Sequence, residues 1–207
     1  MFKLKHTLPL FSEVIGIYTT STDSNKILKK LKNLKWDIRN SGLEAQKDKE
    51  AYGTKDLNFL SKTPKLKKDI KECFDHYIKE TLKWKTNYRI TNSWLTKVNP
   101  GGYASAHYHS NSWLSGVYYP VADEHFKIRF YNSKPKQFQD VTTEYNIYNS
   151  TFWDIPVLNN NTLIIFNSLL NHEVLLNKSN KTRYSIALNI FPKGFIGEKN
   201  SDSSLQL

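Results

Sequence analysis

Residues 99–109 read NPGGYASAHYH, and this stretch decides how the chain folds. Pro100 fixes one backbone angle, and the glycine pair after it allows conformations that are closed to residues with a side chain. The segment therefore predicts a sharp turn into a strand. Successive side chains alternate faces along a strand, so His107 and His109 project to the same side. Two imidazoles that share a face can share a metal ion.

Further strands follow from the spacing of apolar residues downstream. Phe126, Ile128 and Phe130 alternate with polar residues, which predicts a strand with one buried face and leaves His125 on the solvent side. Residues 162–166 form a continuous apolar run between asparagines, as in a strand buried on both faces. Several short strands separated by Gly, Pro and Asn turns favour an antiparallel barrel or jelly roll.

The N-terminal part predicts one strand and two helices. Residues 8–18 alternate between apolar and polar, which indicates an early strand. Residues 22–24 are cap candidates for a first helix, and Pro64 begins a second helix with an apolar stripe along residues 66–82. The fold class is therefore mainly β with helices (α+β), a jelly-roll or cupin-like sheet with N-terminal supporting helices.

The length of 207 residues suits a single domain. Within the domain 1–207 we expect a strand and helical support over 1–87, a jelly-roll core over 88–192 and a loose tail over 197–207. Cys73 is the only cysteine, so no intrachain disulfide can form, and a reducing cytoplasm is the expected location. No signal peptide and no membrane-spanning segment are predicted.

The formal net charge of +11 is concentrated in the N-terminal half. Residues 1–90 hold 20 basic and 11 acidic residues, a net +9, whereas residues 91–207 hold 10 and 8, a net +2. A basic face can attract nucleic acid or an acidic protein, but solubility and a bias toward lysine explain it as well. Nucleic-acid binding is therefore open but not favoured, and a homodimer is included among the expectations.

Two distal residues extend the histidine pair into a candidate site. Residues 172–177 and 182–191 are expected to form a hairpin, in which Arg183 would share a face with His172 at roughly 7–13 Å. Ser185 would point the same way. The guanidinium can hold a carboxylate with two hydrogen bonds, and a third imidazole can complete a metal site. An ordinary surface His-x-His pair and an exterior Arg salt bridge are the alternatives.

Neighbouring residues were considered as contacts to a small carboxylate ligand. Tyr118 and Tyr119 point to opposite faces of one strand, so at most one can reach a ligand, and Tyr118 is the residue we assign. Asn189 continues the Arg183 face, where a small polar side chain leaves room for a ligand.

The order of these parts resembles the iron(II)- and 2-oxoglutarate-dependent dioxygenases. The resemblance spans roughly residues 94–191 and rests on the His-x-His pair, the strand that ends in Tyr118-Tyr119, the distal His172 and the sequence Arg183-Tyr184-Ser185. Within that superfamily, the sequence NPGGY at residues 99–103, followed by WLSGVYY at residues 113–119, is similar to small oxygenases of marine bacteria and their phages. If the chain is phage-encoded, this resemblance would place it in a host cytoplasm.

The resemblance implies a double-stranded β-helix and an oxygen-dependent hydroxylation of an unidentified substrate, with release of succinate and CO2. It implies Fe(II) as the metal and 2-oxoglutarate as the cosubstrate, which would chelate the metal and pair with Arg183 and Ser185. The implied metal ligands are His107, His109 and His172.

One position departs from the pattern, because the superfamily usually has an acid where this chain has His109. The third ligand could therefore be His109, water, or an acid from the set Asp123, Glu124, Asp154 and Glu173. A three-histidine, cupin-like dioxygenase that needs no cosubstrate stays open as a second enzyme class. A catalytically inactive β-barrel that serves as a binding module stays open as a third hypothesis.

Overall fold

The computed structural model describes residues 3–6, 10–40, 47–134, 144–198 and 201–207. Within these residues the helices are Ser24–Lys32 (α1) and Pro64–His76 (α2), with a 3-10 turn at Phe59–Lys62 and a π-helical turn at Tyr77–Thr81. The strands, in chain order, are Gly16–Thr19 (β1), Asp37–Asn40 (β2), Lys47–Gly53 (β3), Asn87–Val98 (β4), Ala104–His107 (β5), Leu114–Tyr119 (β6), Asp123–Tyr131 (β7), Phe152–Val157 (β8), Thr162–Asn167 (β9), His172–Val174 (β10), Arg183–Lys193 (β11), Phe195–Ile196 (β12) and Leu205–Gln206 (β13).

Most of the strands described form two antiparallel sheets. The major sheet has the order β1-β9-β6-β11-β4-β3-β2, and the minor sheet has the order β5-β10-β7-β8. Consecutive strands are often separated by another strand or lie in different sheets, as in a jelly roll. The predicted fold class, mainly β with supporting helices, is confirmed.

The two helices pack on the outer face of the major sheet. The side chain of Asp23 caps α1 by accepting hydrogen bonds from the backbone N–H groups of Asn25 and Lys26, at 3.0 and 3.4 Å. Leu31 of α1 and Phe74 of α2 are almost fully buried in the cluster between helices and sheet. The predicted helix starts are confirmed, and the helices cover one face of the sheet so that the other is left for the second sheet.

A second cluster fills the space between the two sheets. Side-chain alternation in β6 divides its residues between the clusters, with Val117 and Tyr119 facing the minor sheet and Leu114 and Tyr118 facing the helices. Phe130 from β7 and Phe166 from β9 meet in this interior with ring centroids 5.0 Å apart. The interior opens at one end onto the predicted histidines.

The expected hairpin between residues 172–177 and 182–191 is wrong. Strand β10 pairs with β5 and β7 in the minor sheet, whereas β11 pairs with β4 and β6 in the major sheet. His172 and Arg183 therefore approach the same interior from opposite sheets. Strand parity alone could not reveal this, because periodicity does not say which sheet a strand joins.

The chain ends also differ from the expectations. The first strand begins at Gly16, and residues 8–9 of the expected strand lie outside the described residues. Leu205–Gln206, in the part expected to be a loose tail, pairs with Phe195–Ile196. Strands β1, β2 and β3, from the segment expected to be mainly support, lie in the major sheet. Among the described helices, none has the length and apolar character needed to cross a bilayer.

Gly116 lets α2 approach the major sheet closely. A Cβ at this position would meet the Phe74 ring at 2.9 and 3.0 Å, whereas a Cβ at Gly53 would meet only the Leu95 carbonyl at 3.6 Å. We expect Gly116→Ala to destabilise the protein by about 1–3 kcal/mol through overpacking, measured by urea denaturation. Gly53→Ala is the matched control, with an expected change within about 0.5 kcal/mol. Equal stability of the two variants would contradict this account of helix docking.

Candidate metal centre

Three imidazoles that lie far apart in sequence come together at one end of the inter-sheet space. One potential ligand atom from each of His107, His109 and His172 lies within 4.8 Å of the others. His172 is the cross-strand partner of His107 in the minor sheet. His109 lies two residues beyond His107, and its backbone N–H donates to the Ser168 carbonyl at 2.8 Å, which holds the segment after β5 against the end of β9.

Aromatic rings surround this cluster. The His107 and His172 ring centroids lie 4.5 Å apart, and the His109 and His172 centroids lie 5.0 Å apart. Phe166 packs against His172 at 4.7 Å, and Trp94 lies edge-on to His109 at 5.3 Å. His172 is buried, while His107 and His109 are half-buried. The cluster therefore has an apolar floor and an accessible side, as a metal site that admits a ligand requires.

Backbone carbonyls set the tautomers of two of these histidines. Nδ1 of His107 lies 2.8 Å from the Ser105 carbonyl, and Nδ1 of His172 lies 2.8 Å from the Leu170 carbonyl. A carbonyl oxygen can only accept, so each Nδ1 carries the proton in the neutral ring. The lone pair is then on Nε2, the arrangement typical of metal-ligating histidines.

His109 is oriented by side chains. Its Nδ1 lies 2.7 Å from Ser115 Oγ and 2.9 Å from Asn189 Oδ1. Asn189 was assigned to the cosubstrate in the sequence analysis, and the structure instead places its amide oxygen against this imidazole. The reason is register, because Asn189 on β11 is the cross-strand partner of Ser115 on β6, next to the His109 segment.

The acids considered as substitutes for His109 lie elsewhere. In the described part of the chain, the group of potential metal ligands at this site holds three imidazoles and no carboxylate. Asp154 pairs with Arg129 at 2.6 Å, and Glu173 accepts from Tyr131 at 2.8 Å. Asp123 accepts from Ser179 at 3.0 Å.

Two further residues lie on the solvent side. Glu124 is exposed and lies 3.7 Å from His125, which is exposed as the strand pattern predicted. Together with the positions of the other acids, this favours the three-histidine set, and the ligand roles stay predictions.

Arg183 is a buried cation with an incomplete set of partners. Its side chain is 2 % exposed, and Nη1 donates to the Lys127 carbonyl at 3.1 Å. Among the described residues, the buried Nη2 has no hydrogen-bond partner, and neither has the buried hydroxyl of Tyr119. Burial lowers the pKa of Arg183 to about 10, which still leaves it charged at neutral pH. An unpartnered buried donor costs about 1–3 kcal/mol, so these two groups suit an anionic acceptor.

The two tyrosines of β6 have the opposite placement from the one assumed. Tyr118 faces the helices, and its hydroxyl donates to Asn161 at 2.6 Å, so the assignment of Tyr118 to the site is corrected. Tyr119 faces the interior instead, where burial raises the pKa of its hydroxyl and the positive charge of Arg183 partly offsets that rise. The sequence held a signal for this placement. Gly116 lies two residues before Tyr118, so the two share a face of β6, and a glycine inside a strand marks a face that another element approaches closely. Tyr118 therefore faces that element.

Ser185 and Thr96 continue the surface next to Arg183. Ser185 is buried and lies two residues along β11, on the same face as Arg183. Its cross-strand partner on β4 is the buried Thr96. The predicted pairing of Arg183 with Ser185 on one face is thus present. The face combines one cation with hydroxyl groups, which suits a carboxylate ligand.

Comparisons with known proteins agree with this chemistry. Residues 92–189 match the model of a family described as "Putative 2OG-Fe(II) oxygenase". Residues 92–189 are therefore similar to the 2OG-Fe(II) oxygenases. The matched segment contains all three histidines and Arg183. Comparison with curated protein sequences yields no match.

Solved structures share the fold of this chain. A prolyl hydroxylase of Trichoplax adhaerens, in complex with a hypoxia inducible factor peptide, has 16 % identity and a TM-score of 0.59, over 86 % of this chain and 83 % of that one. HygX of Streptomyces hygroscopicus, with nickel, 2-oxoglutarate and hygromycin B bound, has 8 % identity and a TM-score of 0.58, over 87 % and 83 %. A Pseudomonas putida prolyl-4-hydroxylase has 11 % identity and a TM-score of 0.55, over 89 % and 96 %.

We expect His172→Ala to abolish stoichiometric metal binding, because it removes one of three ligands at the buried centre of the cluster. His125→Ala is the matched control and should leave binding intact, since this exposed imidazole lies on the solvent side of β7. Metal content after reconstitution with Fe(II) or Ni(II) and desalting measures both. Equal metal content in wild type and His172→Ala would refute the assignment.

Proposed function

We propose that the protein hydroxylates its substrate with 2-oxoglutarate as the cosubstrate and that its iron is held by His107, His109 and His172. The proposal rests on one observation above all: the buried, incompletely partnered Arg183 shares the inter-sheet space with the histidines. A carboxylate would supply the acceptor that Arg183 Nη2 and the Tyr119 hydroxyl lack among the described residues. In this proposal one carboxylate of 2-oxoglutarate would pair with the cation, and the other end of the molecule would chelate the metal.

The donor set suits iron. Imidazole nitrogen is a ligand for Fe, Zn, Cu and Ni alike, and three imidazoles on one side of an ion leave the opposite positions open. When bound, the iron would supply the reaction of O2 with 2-oxoglutarate that gives succinate, CO2 and a hydroxylated product. The histidines would hold the ion, and the rings of Phe130 and Phe166, which pack against His172, would keep water away from that histidine.

Arg183 and its neighbours would orient the cosubstrate. The planar guanidinium can hold a carboxylate through two parallel hydrogen bonds, and its low exposure removes competition from water. Tyr119 can donate one more hydrogen bond, and Ser185 offers another from the same face. Because Arg183 is anchored to the Lys127 carbonyl, its position is set before the ligand arrives.

The cupin-like alternative keeps the metal and dispenses with the cosubstrate. Arg183 argues against it, since an interior cation without an anionic ligand carries a desolvation cost with no function to balance it. The inactive-module alternative predicts no stoichiometric metal. The acceptor substrate is not named by this chemistry.

The setting of the reaction is part of the proposal. We place the enzyme in a reducing cytoplasm because Cys73 is its single cysteine, so no intrachain disulfide can form. The link to marine bacteria and their phages, the homodimer and nucleic-acid binding by the basic N-terminal half stay predictions of the sequence.

We expect Arg183→Met to keep the metal and lose 2-oxoglutarate, because methionine removes the cation while keeping most of the apolar bulk. Anaerobic calorimetry of Fe(II)-loaded protein would show cosubstrate affinity reduced by about 100-fold, the loss of a charge-assisted pair of roughly 2–3 kcal/mol. Succinate formation should fall with it. Ser185→Ala is the milder companion variant. Unchanged cosubstrate affinity in Arg183→Met would favour the cupin-like alternative.

If His109 is a metal ligand, substitutions of this residue should change metal binding and 2-oxoglutarate binding in different ways. His109→Ala should lose most of the metal, while His109→Asp should retain it, because a carboxylate is also a ligand for iron. The added negative charge should weaken binding of anionic 2-oxoglutarate by about tenfold. Metal analysis and calorimetry on the three proteins measure this. Full metal binding by His109→Ala would show that the third ligand is another group.

A further inference from the structure

His109 belongs to a hydrogen-bond network that links four side chains, here called the His109 network: His109, Ser115, Ser168 and Asn189. Ser115 Oγ lies 2.7 Å from His109 Nδ1, 2.8 Å from Asn189 Oδ1 and 2.8 Å from Ser168 Oγ. Asn189 Oδ1 lies 2.9 Å from the same His109 nitrogen. The polar atoms are therefore linked to one another in a compact cluster.

The network is shielded from water. Ser115 and Ser168 are both 0 % exposed, and Asn189 is 6 % exposed. Cross-strand pairing of Asn189 with Ser115, between β11 and β6, fixes the relative positions of these two side chains. Water therefore has little access to replace a missing partner, and the loss of one group leaves another unsatisfied.

The number of available protons determines which atoms of the network donate and which accept. Ser115 has one hydroxyl proton, which it donates to the Asn189 amide oxygen. It can then only accept from His109, and the amide oxygen of Asn189 can also only accept. Nδ1 of His109 must therefore carry the proton. The lone pair of the neutral ring is on Nε2, the same tautomer that backbone carbonyls impose on the other two histidines of the cluster.

We propose that Asn189 and Ser115 are positioning residues that hold His109 in its metal-binding tautomer and ring orientation, and that the amide of Asn189 does so without adding a charge beside the ion. The inference rests on the proposed function, because it assumes a metal at the three histidines. Two side chains contact Nδ1 of His109, so a substitution of either one can change the orientation and basicity of this ligand.

The choice of an amide at position 189 has a consequence for charge. A carboxylate that accepts from Nδ1 raises the basicity of a ligating imidazole and adds a negative charge near the ion. An amide oxygen orients the ring without that charge. Asn189→Asp should therefore strengthen the hold on the metal and weaken the hold on an anionic cosubstrate, whereas Asn189→Leu should weaken the hold on the metal.

The experiment uses the full chain with Co(II) as the metal probe, by calorimetry, together with proton NMR of the Co(II) protein. We expect three paramagnetically shifted N–H signals in wild type, one from each Nδ1. Asn189→Leu should lower Co(II) affinity by about 10–100-fold and displace one of the three signals. Asn189→Asp should bind Co(II) at least as tightly as wild type and keep three signals.

Ser93→Ala is the matched structural control. Ser93 is another buried serine of the major sheet, and its hydroxyl oxygen accepts from the Leu60 backbone N–H at 2.9 Å, away from the histidines. It should reduce stability in urea and leave Co(II) affinity unchanged. If Asn189→Leu does not fold, Ser115→Ala takes its place, with the same expected loss of affinity.

The outcomes separate this inference from the proposed function. Absence of Co(II) binding by wild type would overturn the proposed three-histidine site and the inference with it. Wild-type binding with unchanged affinity in Asn189→Leu would overturn the inference alone. An equal loss in Asn189→Leu and Asn189→Asp would also overturn it, since a residue that only fills space gains nothing from a restored acceptor.

Discussion

The short strand β10 is hydrogen-bonded between β5 and β7, and the rest of the site depends on this pairing. It fixes His172 beside His107 on one side and beside Phe130 on the other. Two imidazoles from different parts of the chain thereby face the same interior, and an aromatic ring forms the wall next to them. The major sheet, held at its distance by the apolar cluster between the sheets, supplies the groups that act on the ligands from behind.

Those groups are of two kinds. Toward one part of the interior, Asn189 and Ser115 hold the third imidazole through side-chain hydrogen bonds. Toward another, Arg183 offers a buried guanidinium, and burial lowers its pKa to about 10. Its Nη1 donates to the Lys127 carbonyl, and its Nη2 has no hydrogen-bond partner among the described residues. A buried cation with an incomplete set of partners works against stability. A bound dicarboxylate would supply the missing partner and remove that penalty. The buried cation that lowers stability without the ligand would therefore favour binding of the ligand.

Part of this could be predicted from the sequence, where local rules decide the outcome. Strand alternation predicted that His107 and His109 would lie together, which is confirmed although β5 ends at His107 and His109 follows it. The helix starts follow from the cap at Asp23 and from Pro64. The solvent position of His125 follows from the same alternation. These features depend on neighbours a few residues away.

The errors concern contacts between distant segments. The hairpin between His172 and Arg183 was wrong because proximity in sequence suggests pairing but cannot assign strands to sheets. Tyr118 was chosen over Tyr119 because alternation separates two faces without saying which one is the interior. Asn189 was given to the cosubstrate because its closeness to His109 depends on the register of β11 with β6, a contact across 74 residues.

The most direct test of the central claim is a crystal structure of the protein loaded with Zn(II) as a redox-inert stand-in for iron. The account predicts one ion with Nε2 of His107, His109 and His172 each at about 2.0–2.1 Å. His109 Nε2 beyond about 3 Å from the ion, or a carboxylate in its place, would contradict the three-histidine site.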